Sequence, residues 1–347
     1  MPTKAPPLPP MALFALAAVL PLPLFAIGLA RGGAWMWLGL FYMTAFTALL
    51  DQALSWFAPE APEGTAFPAA DPLLIVLGTA HLAAMPLAVW AIAGDSGLAG
   101  WERAVLFAGF GLWCGQVSNP AAHELIHRGS RGMFRLGAAV YASMLFGHHA
   151  SAHRLVHHRH AASRDDPNTA RRGEGYYRFF LRAWMGSYRA GRRAEAERRQ
   201  GRGLHPYAWY LAGSALGLAA GGVVAGWAGM AVWVLLSLHA QSQLLLSDYV
   251  QHYGLARARL PDGRLEPVGD RHSWNAPHWF SSALMLNAPR HSDHHAHPSR
   301  PYPALRLPGA DAAPRLPYAL PVCCAVALVP PLWRRMIHPH LQRWRAA

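Results

Sequence analysis

The stretch Arg103-Ala-Val-Leu-Phe-Ala-Gly-Phe-Gly-Leu-Trp-Cys-Gly-Gln-Val-Ser-Asn-Pro-Ala-Ala-His123-Glu-Leu-Ile-His127 decides the fold. After Arg103 no charged side chain interrupts it before Glu124, so its first part, about 103 to 119, reads as a membrane-spanning helix. The helix then ends on two histidines four residues apart, a spacing that puts both side chains on one face. A span that delivers paired imidazoles to the membrane boundary is the unit from which the rest is read.

Working outward, comparable apolar runs lie at about 11 to 30, 33 to 50, 72 to 93, 207 to 225 and 228 to 248. Each approaches the roughly 20 residues that a hydrocarbon core about 30 Å thick requires. With 53% hydrophobic and 14% charged residues among 347, the composition is too apolar for a soluble enzyme of this size. The expected architecture is an all-α integral membrane protein of about six transmembrane helices, a single catalytic domain over 1–347. A signal peptide is the alternative for the first run, but that run is long for one and a second span follows at once. Segment 317 to 333 is apolar yet broken by Pro321, Pro330 and Pro331, which favours an interfacial position over spanning.

Charge orients the spans. Arg128, Arg131, Arg135, Arg171, Arg172, Arg192, Arg193, Arg198 and Arg199 crowd the stretch from 120 to 206, and the tail after 250 is basic too. The positive-inside rule makes both segments cytoplasmic. With Lys4 also inside, the chain is expected in a bacterial-type inner membrane with both termini cytoplasmic. The loop holding Asp51, Glu60, Glu63 and Asp71 falls on the same side, and only short links near 31, 94 to 101 and 226 lie outside. A net charge of +13 raises nucleic acid as a partner, but these arginines sit between spans with no recognition motif. Anionic lipid headgroups, or an acidic protein docking on that face, suit them better. Cys114, Cys323 and Cys324 show no C-x-x-C spacing, so no disulfide framework is expected.

Of twenty histidines, nine fall into four groups at the ends of apolar segments: His123 and His127; His153, His157 and His158; His252 within Tyr249-Val-Gln-His-Tyr-Gly254; and His291, His294 and His295. A lone histidine is more often structural than a ligand; four groups at one boundary reverse that balance. Nine imidazoles exceed what one four-coordinate zinc uses, so the count points to two metal ions with open positions. Iron with dioxygen is the choice that suits oxidation of apolar substrates. Glu124 and Asp293 are the candidate catalytic carboxylates; with Asp166 they stand inside or just after the clusters, where they complete or orient the ligand shell. His148, His149, His160 and His297 flank the clusters as supporting or solvent-facing residues. His81 and His239 lie inside spans and are candidates to line a substrate path. In the second span Trp35, Trp37, Phe41 and Tyr42 are candidates for setting the depth of a cavity, with an interfacial belt as the plainer reading of the two tryptophans.

His123-Glu124-x-x-His127 also matches the zinc-metalloprotease pattern, which leaves the other histidine strings unexplained. The full set, His-Glu-Leu-Ile-His-Arg (123 to 128), His-x-x-x-His-His (153 to 158), Tyr-Val-Gln-His-Tyr-Gly-Leu (249 to 255) and Arg-His-Ser-Asp-His-His-Ala-His-Pro (290 to 298), resembles the four histidine motifs of the membrane-bound alkane 1-monooxygenases. Asp166-Pro167, Gly173-Glu174, Ser273-Trp274-Asn275, Leu316-Pro317-Tyr318 and Leu332-Trp333-Arg334-Arg335 resemble family positions as well, so the likeness covers roughly 35 to 340. The resemblance implies six transmembrane helices and a cytoplasmic site where the nine histidines hold two non-haem iron ions. It also implies dioxygen-dependent hydroxylation of an apolar hydrocarbon, at a terminal C–H of an alkane or alkyl side chain, with electrons from rubredoxin and rubredoxin reductase. A membrane desaturase with a similar histidine set is the nearest alternative, its product an alkene; a metal transporter would carry its ligands within the spans.

Five positions depart from the family pattern. Ala152 stands where an acid usually precedes the first histidine of the second motif, and Gln251 replaces the usual Glu before His252. Asp248 stands where Asn is commoner, and Ala288-Pro289 replaces Leu-Gln before Arg290. All nine imidazoles are kept, so the departures bear on the substrate and point toward aryl-alkyl, terpene or other apolar molecules besides n-alkanes.

Overall fold

The computed structural model describes residues 10–54 and 60–344; Lys4 and Ala347 lie outside them. Among the described residues four helices are long and apolar enough to cross a membrane: α1 (Met11–Arg31), α2 (Gly33–Leu54), α3 (Ala70–Ala93) and a 46-residue helix, Pro206–Gln251. The helix α4 (100–127) that carries the first histidine pair is not one of the four, its apolarity diluted by Glu102, Arg103, Gln116 and Asn119. Then follow α5 (Arg131–Ser143), α6 (149–160), α7 (Tyr176–Arg199), and the 46-residue helix, α8. Short helices α9 (Trp279–Leu284), α10 (His291–Ala296), α11 (Leu320–Ala327) and α12 (Pro330–Leu341) complete the chain. Pairing between strands is limited, among the described residues, to single bridges at Arg259–Leu265 and Asn275–Arg315.

The helix α8 covers two of the expected runs. Ala225 (φ −151°) and Gly226 (φ +58°) leave the helical region, and the chain reverses into two arms that pack on each other. A Cβ on Gly229 would meet the Gly221 carbonyl oxygen at 2.1 Å, and one on Gly217 would meet the Trp233 ring at 3.0 Å. Only glycine permits so close an approach. A second glycine turn, Gly32-Gly33, joins α1 to α2, with φ +62° and +55°. The Glu102 carboxylate at the start of α4 accepts the Gly33 N–H at 2.5 Å and the Ala99 N–H at 2.7 Å. One acid thus ties the 32–33 turn and the 94–99 link at the same end of the bundle.

Around the bundle Leu16, Ile27, Leu49, Ile75, Val76, Leu87, Leu216, Val223 and Leu235 face outward. An apolar belt of this kind suits lipid and would aggregate in water. Trp35, Trp37 and Phe41 belong to it, about half exposed, and only Tyr42 turns inward, its hydroxyl donating to the Ala17 carbonyl at 3.0 Å. None of these four lines the main cavity. The π-helical turn Tyr42–Phe46 rotates the helix so that Met43, Thr44, Thr47 and Ala48 do so instead.

At the opposite end from the glycine turns, α7 covers the histidine segments. It buries Tyr176, Phe179, Ala183, Ser187, Gly191 and Glu195 at spacings of three and four, one face of a helix. The acids of the 51–71 stretch dock on this end too. Asp51 accepts the Phe280 N–H at 2.8 Å, Glu60 the Leu307 N–H at 2.8 Å, and Asp71 pairs with Arg128 at 2.9 Å. Segment 317 to 333 forms the short α11 and the start of α12; eight residues of α11 span about 12 Å, too little to cross a membrane.

Candidate metal centre

The nine histidines gather into two groups. His123, His127, His153, His158 and His294 bring one nitrogen each to within 4.8 Å of one another, and so do His157, His252, His291 and His295. In the first group the Nε2 atoms of His123 and His158 lie 2.7 and 2.9 Å from that of His153, and His294 Nε2 is 3.1 Å from His158 Nε2. In the second, His252 and His295 Nε2 lie 2.9 and 3.1 Å from His291 Nε2.

Two of the strings, 153 to 158 and 291 to 295, are divided between the groups. The cause in α6 is a π-helical turn over His153–His157, in which the His158 N–H bonds the His153 carbonyl five residues back. That winding aligns His153 with His158 and turns His157 to the other group, whereas a regular helix would pair 153 with 157. In α10 the i,i+4 pair His291 and His295 stays together, and His294 faces across. His123 and His127 keep the regular spacing, ring centroids 5.0 Å apart.

This donor set fits metal ions. The Nε2 atoms of His127 and His157, one in each group, are buried with no hydrogen-bond partner, a costly state unless something else binds them. Burial first, then neighbouring imidazoles, hold His291, His294 and His295 well below the usual histidine pKa. Neutral imidazole is the form that ligates. Burial pulls His157 down as well, but the Asp166 carboxylate opposite outweighs it and raises the pKa. Asp166 Oδ2 lies 2.9 Å from His157 Nδ1, so His157 Nε2 faces the group centre. Asp166 is itself held by the Thr169 hydroxyl at 2.7 Å and the Asn168 N–H at 3.0 Å, and Asn168 reaches on to Asp248 at 2.6 Å.

Glu124 and Asp293 stand behind the histidines and do not line the cavity. Glu124 pairs with Arg128 at 3.3 Å, accepts the Tyr302 N–H at 3.3 Å and is 4.0 Å from His123 Nδ1. Asp293 is engaged by His297 at 3.0 Å, by Arg300 and by the Arg306 N–H at 2.8 Å. Of the flanking histidines, His148 and His149 are buried and His149 lines the cavity. His81 bonds Ser143 at 3.0 Å and His239 packs on Phe107; neither lines the cavity.

Sequence reasoning passed over the clamps that hold these helices. Asn275 donates to Ser292 Oγ at 2.7 Å and accepts the Ser292 N–H at 3.0 Å, fixing the start of α10, while its own carbonyl accepts the Leu316 N–H at 2.8 Å. The fully buried Trp274 donates to the Tyr253 carbonyl at 3.0 Å, and Arg290, also fully buried, donates to the Leu305 carbonyl. Two of the departures have local reasons. Ala152 packs where a Cβ on Gly191 would meet it at 2.9 Å, leaving no room for a larger side chain. The Gln251 amide donates to the Ala288 carbonyl at 3.0 Å, a bond a carboxylate could not donate.

A cavity of about 490 Å³ ends on His123, His149, His153 and His291. Its walls come from α2, α4, the second arm of α8, the end of α9 and α11, with Met43, Leu112, Leu244, Met285, Leu320 and Val326 among them. Thr44, Ala45, Ala325 and Leu328 are exposed at its rim, so it opens sideways between α2 and α11. Two further π-helical turns, Tyr42–Phe46 and Cys114–Ser118, supply wall residues, as such turns often do at functional sites.

A lipid-facing helical bundle, an apolar side cavity and two histidine groups at its foot define a membrane oxidoreductase with a histidine-rich metal centre. Residues 98–325 match the family model described as fatty acid desaturase. The chain is 30% identical to alkane 1-monooxygenase 2 of Pseudomonas aeruginosa, over 95% of this chain and 91% of that protein. It is 31% identical to alkane 1-monooxygenase of Pseudomonas putida, over 76% and 66%. The hydroxylase component of xylene/toluene monooxygenase, XylM, of Pseudomonas putida is 30% identical over 65% and 61%. The chain belongs to the alkane 1-monooxygenase family, within the wider desaturase family, and is a membrane monooxygenase.

Proposed function

We propose that this protein hydroxylates an apolar hydrocarbon, at a terminal C–H of an alkane or alkyl side chain, using dioxygen and two non-haem iron ions. The observation that carries this reading is the convergence of nine histidines, in two groups, at the foot of an apolar cavity. His123, His127, His153, His158 and His294 would hold one ion, and His157, His252, His291 and His295 the other. Bound iron supplies dioxygen activation and the oxidising power that a C–H bond requires.

The chain supplies the rest. The cavity walls desolvate the substrate and present one end of it to His123, His153 and His291. Asp166 fixes the tautomer and direction of His157. Glu124 and Asp293, engaged by Arg128, Arg300 and backbone N–H groups, tie the helices that carry the neighbouring histidines to the loops around them and do not touch substrate. A zinc protease would need Glu124 directed at a metal-bound water; its ion pair with Arg128 speaks against that.

Electrons come from rubredoxin, itself reduced by rubredoxin reductase. The support for an acidic donor is a depression of about 750 Å³ ringed by Arg164, Arg171, Arg172, Arg257 and Arg259, with Asp166, the partner of His157, in its wall. The protein sits in the inner membrane as one catalytic domain with six spans: α1, α2, α3, α4 and the two arms of α8. Both termini and the histidine end are cytoplasmic.

The test is product analysis with metal content. Membranes carrying the protein, with rubredoxin, its reductase and reduced nicotinamide cofactor, are offered octane, an alkylbenzene and a terpene. Alcohols, with about two irons per chain, are expected. Stoichiometric zinc with negligible iron would refute the reading, and alkene products would make the protein a desaturase. Topology is tested separately: reporters fused at Arg199 and after Ala347 should both read as cytoplasmic, and a periplasmic signal at either breaks the six-span count.

A further inference from the structure

Away from the histidines, most polar side chains in the wall of the cavity are engaged by protein. Thr44 and Thr47 donate to the Leu40 and Tyr42 carbonyls at 2.5 and 2.7 Å, and Asn119 donates to the Ala240 carbonyl at 2.9 Å. Ser247 bonds Gln251 at 2.8 Å, and Asp248 accepts from Asn168 at 2.6 Å. Gln116 breaks the pattern. It lines the cavity and is only 8% exposed, yet its Oε1 is buried with no hydrogen-bond partner. A second amide, Gln243, lines the same stretch of wall from α8. Its stem crosses the α4 backbone where Gly115 leaves space, since a Cβ on Gly115 would lie 2.4 Å from the Gln243 Cβ.

A buried amide oxygen without a partner in an apolar cavity costs free energy unless a ligand satisfies it. A cavity meant for a bare hydrocarbon would have no use for one, and Leu or Met would fill the position. Gln116 stands in the π-helical turn Cys114–Ser118, seven positions before His123. That separation is about 10 Å of helix.

Resting on the reading of this cavity as the substrate site, we propose that the substrate is an apolar chain bearing one hydroxyl group, which Gln116 binds while the far end of the chain meets the histidines. A hydroxyl both donates and accepts, so it satisfies the amide in either orientation. The helix distance corresponds to a chain of about eight carbons between the oxygen and the end presented to the histidines.

The probes are 1-octanol and n-nonane, which differ only by a hydroxyl in place of a methyl, bound to the purified full-length protein. Gln116→Met should weaken 1-octanol about five- to tenfold relative to n-nonane, with bound metal equal to the parent's as the sign of an intact fold. An unchanged ratio of the two affinities overturns the proposal and leaves Gln116 holding a water or serving packing. The unmodified protein gives a second readout that needs no variant: 1-octanol should bind at least about fivefold more tightly than 4-octanol, and equal binding also overturns the proposal. Neither readout involves turnover. Binding that discriminates without any hydroxylation refutes the proposed function alone, and hydroxylation without discrimination refutes this inference alone.

Discussion

The two histidine groups are built to different standards of support. In the four-membered group all four rings are buried, and one of them, His157, is fixed by a carboxylate, Asp166, that is itself held by Thr169 and Asn168. In the five-membered group three rings are only partly buried, and the nearest carboxylate to His123, Glu124, stands at 4.0 Å. The rings of the second kind are aimed by their helices: the regular turn from His123 to His127 and the π-helical turn from His153 to His158. One ring of the first group is held by a hydrogen-bonded carboxylate, whereas no ring of the second has one within 3.5 Å. The first should therefore be the more sensitive to changes in polar side chains that leave the helices intact.

The largest effect is expected from His252→Ala. Removing one of four proposed ligands should empty the four-membered group, leave metal in the five-membered group, and abolish hydroxylation. Metal analysis and product assay at equal protein abundance check it. Unchanged iron and activity would reduce His252 to a structural residue. Asp166→Asn should come next. It keeps the shape of the side chain and removes the charge that orients His157, so affinity or activity should fall about 10- to 100-fold; an effect as small as that of an exposed surface change would erase the contrast between the groups. The smallest effect belongs to His297→Ala. His297 is half exposed and shares Asp293 with Arg300 and the Arg306 N–H, so its loss should shift stability by less than about 1 kcal/mol. Most of the bound metal should remain, and a loss as large as that from His252→Ala would make Asp293, and not helix winding, the support of His294.

Much of this site is legible in the chain. The nine histidines that converge are the nine picked out by their strings, because i,i+3 and i,i+4 spacings and the ends of apolar runs are local properties. The carboxylates were harder to read. Glu124 and Asp293 stand next to histidines in sequence and are engaged by arginines in space. Asp166, eight residues beyond His158, is the one of the three that bonds a ring of the two groups. Trp35, Trp37 and Phe41 face outward although their helix lines the cavity, since the π-helical turn at Tyr42–Phe46 changes the face midway. An i→i+5 turn leaves no periodic signature in five residues. Ser273-Trp274-Asn275 likewise gives no sign that its asparagine ties α10 to Leu316.

What the sequence determined by itself is the membrane class of the protein and the identity of its histidine set, since both follow from runs and spacings shorter than one span. Only the tertiary structure decided which histidine belongs to which group, where the cavity runs, and that Gln116 faces it without a protein partner. Those outcomes depend on extra backbone winding within α6 and on contacts between residues more than a hundred positions apart, such as His294 with His158. Neither the rotation of a helix about its axis nor the neighbour it finds across the bundle is encoded in any stretch as short as a motif.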